Sequence, residues 1–161
     1  HGGGQERDRR GGTHNVAGIV AMTEALAATD EARPTELPRI EALRDRLVAG
    51  VRDALDGVHE TVVPAAKVAG SAHLCIEGIE NEALLFLLDE EGVCASAASA
   101  CAAGAMEPSH VLAAMGVPRS QAMGAVRLTL GRTTTPVDVD RGVEVLVGAV
   151  LRLRGKAAGR P

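Results

Sequence analysis

The sequence is almost without aromatic residues: among 161 positions there is one Phe, Phe86, and no Trp or Tyr. Proteins that grip single-stranded nucleic acid stack bases on aromatic platforms, and that route is closed here. An excess of positive charge is also lacking, since 17 basic against 21 acidic side chains leave a formal net charge of −4. A phosphate-backbone binder needs the opposite balance. No apolar run approaches the ~18–20 residues of a membrane span. Cysteine is sparse and odd in number, at positions 75, 94 and 101 with no CxxC pair. Such cysteines read as free thiols in a reducing, cytoplasmic compartment rather than as a disulfide frame. No His, Cys, Asp and Glu set has metal-ligand spacing. Lysine occurs only as Lys67 and Lys156, both read as solvated surface groups.

What is present suffices for a core. The chain is 46% hydrophobic, so the interior must be aliphatic, and its length fits one domain with or without trailing segments. It opens on His1-Gly2-Gly3-Gly4, with no initiator Met and no signal-peptide pattern. The expectation is a portion of a longer protein.

Glycine and charge make residues 1–12 a predicted loop. Thr13 and Asn15 are N-cap types, and helical spacing follows from Val16 to Ala28. Asp30 to Pro38 reads as a charged, proline-bearing linker. The recurrence of Ile40, Leu43, Leu47, Val51 and Leu55 predicts a second helix over 39–56. Short β-rich runs at Thr61–Val63 and Ala72–Ile76 read as strands. Asn81 to Glu90 is a predicted helix closed by Gly92, and Val93–Ala95 a short strand. Residues 96–106 form a low-bulk loop, and Pro108 opens a helix running to Met115. Ala125 to Leu130 alternates as a strand, with Val126, Leu128 and Leu130 on one face and Arg127 and Thr129 on the other. Val137 to Arg154 is a final amphipathic helix, followed by a frayed tail from Gly155. The fold class is α/β, with α+β-like character: a small sheet packed against helices.

Three places have the makings of chemistry. The glycine-rich start ends in Gly11-Gly12-Thr13 at a helix N-terminus, where backbone N–H groups, a hydroxyl and the helix dipole favour an anion; an ordinary flexible loop with a Thr cap is the alternative. Cys101 is flanked by Ala, Ser and Gly, which leave a thiol accessible and mobile; Cys75 and Cys94, set among aliphatic strand residues, read as buried packing groups. Arg127 must project from the polar face of its strand, where a guanidinium is suited to hold a carboxylate by two parallel hydrogen bonds, or else forms a surface salt bridge. Arg132 admits the same two readings. His14, His73 and His110 read as supporting, structural or surface groups.

These pieces occur in a familiar order. The run His1-Gly-Gly-Gly-Gln-Glu-Arg7…Arg10-Gly-Gly-Thr13-His-Asn-Val-Ala-Gly18 resembles the GGGQERGxRSGTxNVAG segment of cysteine desulfurases. Ser99-Ala-Cys101-Ala-Ala-Gly…Glu107-Pro-Ser-His-Val-Leu112 resembles their catalytic loop and the helix behind it, and Val126-Arg-Leu-Thr-Leu-Gly131-Arg-Thr133 their next strand and turn. The likeness extends from residue 1 to about 150. It implies the C-terminal part of a fold-type I, class V enzyme that uses pyridoxal 5'-phosphate (PLP) to move sulfur from L-cysteine onto an enzyme cysteine as persulfide, releasing L-alanine. It further implies that residues 1–35 end the large PLP-binding domain, and that residues 36–161 form the small domain with its catalytic loop at 95–106. By the same resemblance Cys101 is the nucleophile, Arg127 binds the substrate carboxylate, and Thr13 reaches the PLP phosphate of the neighbouring subunit of a homodimer. The persulfide would pass to a sulfur acceptor or iron–sulfur scaffold protein, or serve thio-cofactor or tRNA synthesis; neither nucleic acid nor membrane is an expected partner.

Two departures are local: the family's SGT is Gly11-Gly12-Thr13, and Ala-Ala-Gly follows the cysteine where Ser or Thr is common. A third is larger, because neither lysine lies in a motif like the family's Ser-x-His-Lys, so the Schiff-base lysine is expected upstream of residue 1. The chain alone is therefore expected to show no turnover and little PLP binding. The alternatives are another class V enzyme, either a selenocysteine lyase or an aminotransferase, and a PLP-free sulfur-carrier or partner module.

Overall fold

The computed structural model describes residues 2–62, 67–97 and 109–158. In chain order the elements are β1 (Gly4–Gln5), β2 (Arg10–Gly11), α1 (Val16–Ala54), β3 (Val58–Glu60), β4 (Ser71–Ile76), α2 (Asn81–Glu90), α3 (His110–Ala114), α4 (Arg119–Ala122), β5 (Ala125–Thr129) and α5 (Pro136–Ala158). The chain divides into two compact units, His1–Glu36 and Leu37–Pro161, with the boundary inside α1.

In the first unit the expected loop contains a short hairpin. β1 and β2 pair antiparallel, Gly4 opposite Gly11 and Gln5 opposite Arg10, and the Gly12 N–H donates to the Gly3 carbonyl at 2.9 Å. Pairing needs only backbone groups, which glycine supplies as well as any residue, so composition alone does not reveal it. The tip takes the left-handed conformation at three successive non-glycine residues, Glu6, Arg7 and Asp8, a costly arrangement for side chains bearing a Cβ. Asn15 caps α1, its Oδ1 accepting from the Gly18 N–H at 3.0 Å.

The Asp30–Pro38 linker is not a linker, for α1 runs through it without a break. Proline forfeits one backbone hydrogen bond each at Pro34 and Pro38, yet the stretch keeps strong helix formers between them. Asp30 and Arg33 form an ion pair one turn apart at 2.8 Å, and the Thr35 hydroxyl donates to the Ala32 carbonyl at 3.0 Å.

The second unit is built on the antiparallel sheet β3-β4-β5. His73 lies opposite Arg127 and Leu74 opposite Val126. Residues directly opposite share a face, so Ala72, Leu74, Ile76, Val126 and Leu128 form one apolar face. It packs on Leu47 and Val51 of α1, Leu84 and Leu88 of α2, and Leu146 and Val150 of α5 in one cluster. The other face is divided. At one end Cys75 and Ala125 are covered by Leu112 of α3 and Ala122 of α4; in the middle it is polar.

Two glycines hold the sheet at its ends. A Cβ at Gly124 would lie 1.9 Å from the Ile76 carbonyl oxygen, and one at Gly70 would lie 2.4 Å from that of Leu130. These close approaches let Gly124 accept from the Ile76 N–H and Gly70 from the Leu130 N–H. The last helix opens on a reciprocal cap, Asp138 Oδ2 accepting from the Thr135 N–H at 2.8 Å and Thr135 Oγ1 from the Asp138 N–H at 3.2 Å, with Pro136 at the first helical position. Those bonds from Thr135 hold the Asp138 carboxyl below its usual range.

Several boundaries differ from the sequence expectation. The strand after α1 is Val58–Glu60, because the left-handed turn at Gly57 starts it at once; Thr61 and Val62 of the expected Thr61–Val63 strand follow it outside any strand, and Val63 lies outside the described residues. Val93–Ala95 is not a strand. Gly92, left-handed at φ 73°, turns the chain so that the Val93 N–H returns to the Leu88 carbonyl, and the first residue to join the sheet is Ser96. The α3 helix is capped by Ser109, Pro108 lies outside the described residues, and α5 continues through Gly155 to Ala158.

Candidate functional site

The polar middle of the second unit's sheet is a row of four residues contributed by four segments. Arg127, in β5, sits at its centre. Its N–H donates to the Ser96 carbonyl at 2.7 Å and its carbonyl accepts from the Ser96 N–H at 3.0 Å, an isolated antiparallel bridge. His73 of β4 flanks it on the other side. Beyond His73 lies Thr61, whose N–H donates to the His73 carbonyl at 3.2 Å and whose hydroxyl meets His73 Nδ1 at 2.8 Å.

The electrostatics of the row are one-sided. Arg127 is half-buried, and among the described residues its guanidinium has no carboxylate partner. Burial, and next the charge of Arg127, hold the His73 imidazole below its usual pKa, in the neutral form. A half-buried cation with no acidic partner among the described residues is equipped to take a carboxylate from outside. Arg132 is placed differently: it is exposed in the turn after β5, and its carbonyl accepts from Arg39 Nη2 at 2.8 Å.

In the first unit Thr13 is exposed, between Gly12 in the left-handed region at φ 91° and His14. His14 Nε2 lies 3.0 Å from Glu6 Oε1, which ties the hairpin tip back to the residue after Thr13. The hydroxyl therefore stands on a braced rather than a loose segment. Asn15, not Thr13, supplies the helix cap.

Cys101 lies outside the described residues. Of the other thiols, Cys75 is fully buried as expected, and burial pushes its pKa up. Cys94 is exposed, contrary to the expectation of a packed strand residue, because the segment after Gly92 is a connection instead of a strand. Lys67 is also misplaced by the sequence reading: its side chain is 7% exposed and ion-paired with Glu60. A Schiff-base lysine needs a free amine beside its cofactor, so Lys67 is unsuited to that role, and the described residues do not by themselves compose a PLP site. They offer one fitting piece, the exposed Thr13 hydroxyl just before the N-terminus of α1. No group of three or more metal-ligating side chains occurs among the described residues, and no helix there is long and apolar enough to cross a membrane.

The sequence reading missed two groups. Arg44, 2% exposed, reaches from α1 to the carbonyls of Val68 and Ala69 at 3.4 and 3.2 Å while pairing with Glu41 and Asp45. Its place one turn after Ile40 on the buried stripe was the available sign. The coupling of His73 to Arg127 left no local sign, because it depends on strand register.

The aminotransferase class-V family pattern matches residues 3–141. An IscS-like cysteine desulfurase of Mycobacterium tuberculosis is 47% identical over 158 residues, covering 98% of this chain and 40% of the relative. The cysteine desulfurase IscS of Methanosarcina thermophila is 43% identical, covering 100% of this chain and 40% of the relative. Among solved structures, a NifS-like protein superposes with a TM-score of 0.81 at 31% identity, over 94% of this chain and 38% of that one. The chain thus spans about two-fifths of the length of the curated relatives it matches.

Proposed function

Because the chain belongs to the aminotransferase class-V family, we propose that it is the C-terminal segment of a PLP-dependent cysteine desulfurase that works as a homodimer. The proposal divides the segment as residues 1–35, the end of the PLP-binding large domain, and residues 36–161, the small domain bearing the catalytic loop. Relatives named cysteine desulfurase at 47% and 43% identity support the activity.

One structural observation carries the assignment of roles: the backbone bridge between Arg127 and Ser96. It secures Ser96, upstream of Cys101 in the sequence, to the strand bearing a guanidinium that has no acidic partner among the described residues. Cys101 follows Ser96 by five positions in the sequence, a chain contour of at most about 17 Å. In the proposed reaction Arg127 holds the α-carboxylate of L-cysteine and so orients its Cβ–S bond. The cofactor, when bound, supplies the electron sink that loosens that bond. The Cys101 thiolate forms a new S–S bond to the substrate sulfur as the C–S bond breaks, and a proton delivered to the remaining carbon completes L-alanine. Atoms balance without an external oxidant: thiol plus cysteine gives persulfide plus alanine. Thr13 donates to the cofactor phosphate of the partner subunit. The persulfide then passes to an acceptor protein for iron–sulfur or thio-compound synthesis, in the cytoplasm, where free thiols persist.

The decisive experiment is the Cys101→Ala variant of the enzyme expressed from its complete reading frame. It should retain the cofactor's visible absorbance and lose alanine and persulfide formation from L-cysteine. Retained desulfuration, or loss of the bound cofactor, would overturn the role of Cys101.

A further inference from the structure

The row Thr61–His73–Arg127–Ser96 contains one residue that the proposed reaction has not used. We propose that His73 is a positioning residue of the carboxylate clamp, a neutral side chain that supports the Arg127 guanidinium and leaves its charge free for substrate. The inference rests on the reading of Arg127 given above and adds to it.

The geometry comes from the backbone. Arg127 spends both its N–H and its carbonyl on Ser96, at 2.7 and 3.0 Å. Toward β4 it therefore forms the non-hydrogen-bonded kind of antiparallel pair with His73. In that kind the Cα atoms approach to about 4.5 Å and the side chains lie closest. On its far side His73 is fixed twice by Thr61, through its carbonyl at 3.2 Å and through Nδ1 at 2.8 Å. The hydroxyl also lies 3.4 Å from the His73 carbonyl, and its shorter contact with Nδ1 fixes the ring's orientation whichever of the two partners donates.

The choice of side chain at position 73 then decides what Arg127 is available for. A carboxylate there would neutralise the guanidinium with charge-assisted hydrogen bonds inside the sheet. A second fixed cation would repel it, and a small aliphatic residue would leave it unsupported. An imidazole held by Thr61 and set opposite Arg127 in the sheet stands beside the guanidinium without offering it a counter-charge. Among the described residues no acidic side chain enters the row, and Ser96 offers no charge.

The test uses the PLP-loaded enzyme from its complete reading frame, comparing KM and kcat for L-cysteine. His73→Glu should raise KM at least tenfold with kcat within twofold, as the new carboxylate captures Arg127. His73→Gln, neutral and able to bond Thr61, should stay within threefold of wild type in both constants. Thr61→Val, which frees the ring, should raise KM severalfold and guards against a His73→Glu variant that fails to fold. An unchanged KM in both His73→Glu and Thr61→Val, or a fall in kcat alone, overturns the role of His73. Arg127→Gln separates the two readings. A large rise in its KM alongside unaffected His73→Glu and Thr61→Val leaves the clamp standing without His73, whereas an unchanged KM in Arg127→Gln removes the clamp and the inference with it.

Discussion

Single residues in this chain are sorted by burial and by the charge beside them. Cys75, fully buried between the sheet and the short helices with its pKa pushed up by burial, is an unreactive packing group, whereas Cys94 is exposed on the connection after α2. Iodoacetamide treatment of the native chain followed by peptide mass analysis should find Cys94 modified at least tenfold faster than Cys75; equal rates would contradict their placement. His73 makes a second prediction. Its folded pKa lies below the ordinary 6.5, so as pH falls through 6.5 the unfolded chain binds a proton that the folded chain refuses, and stability declines toward the folded value. Urea unfolding at pH 7.5 and 5.5 should show a larger loss for the wild type than for His73→Gln. Parallel losses would mean that the imidazole is not held neutral. Arg44 belongs here too: Arg44→Ala removes a charged donor from the Val68 and Ala69 carbonyls and should cost about 2–4 kcal/mol in urea unfolding.

At the scale of elements, the long helix and the sheet follow different rules. α1 persists through two prolines because helix formation is a sum over many residues, and the favourable neighbours outweigh two missing hydrogen bonds. The sheet tolerates less. β4 and β5 meet their end partners only because Gly70 and Gly124 have no Cβ, and at Gly124 the obstacle is the Ile76 backbone itself. Gly124→Ala must therefore shift the sheet and should lower stability by about 3 kcal/mol or more, seen as a lower urea midpoint. Gly3→Ala, where nothing stands within 4 Å of the added Cβ, is the matched control and should be near neutral.

For the whole molecule, two compact units share one helix, and each holds a different part of the proposed chemistry: the Thr13 hydroxyl in the first, the Arg127 row in the second. Of the two lysines, Lys67 is committed to Glu60, and the side chain of Lys156 lies outside what the structure describes. The 161-residue chain mixed with PLP and L-cysteine should accordingly release no alanine above a no-protein control. Turnover by this chain alone would refute the proposed division of labour between it and the remainder of a longer enzyme.

Read from sequence alone, the chain already determined its aliphatic core, α2, β4, β5 and α5 to within a few residues, since these depend on local period: 3.6 for the buried stripes and 2 for the strands. Its motifs also sufficed for membership of the class-V family, because they are contiguous runs whose identity survives without coordinates. Arg127 was assigned to the polar face by alternation alone. Only the tertiary structure decided what stands next to it. That His73 and not an acid flanks the guanidinium, that Ser96 joins the sheet there, that Lys67 is ion-paired and Cys94 exposed are facts of register and long-range packing. They depend on residues 7 to 54 positions apart in the chain being brought together, and no local pattern encodes which of them will meet.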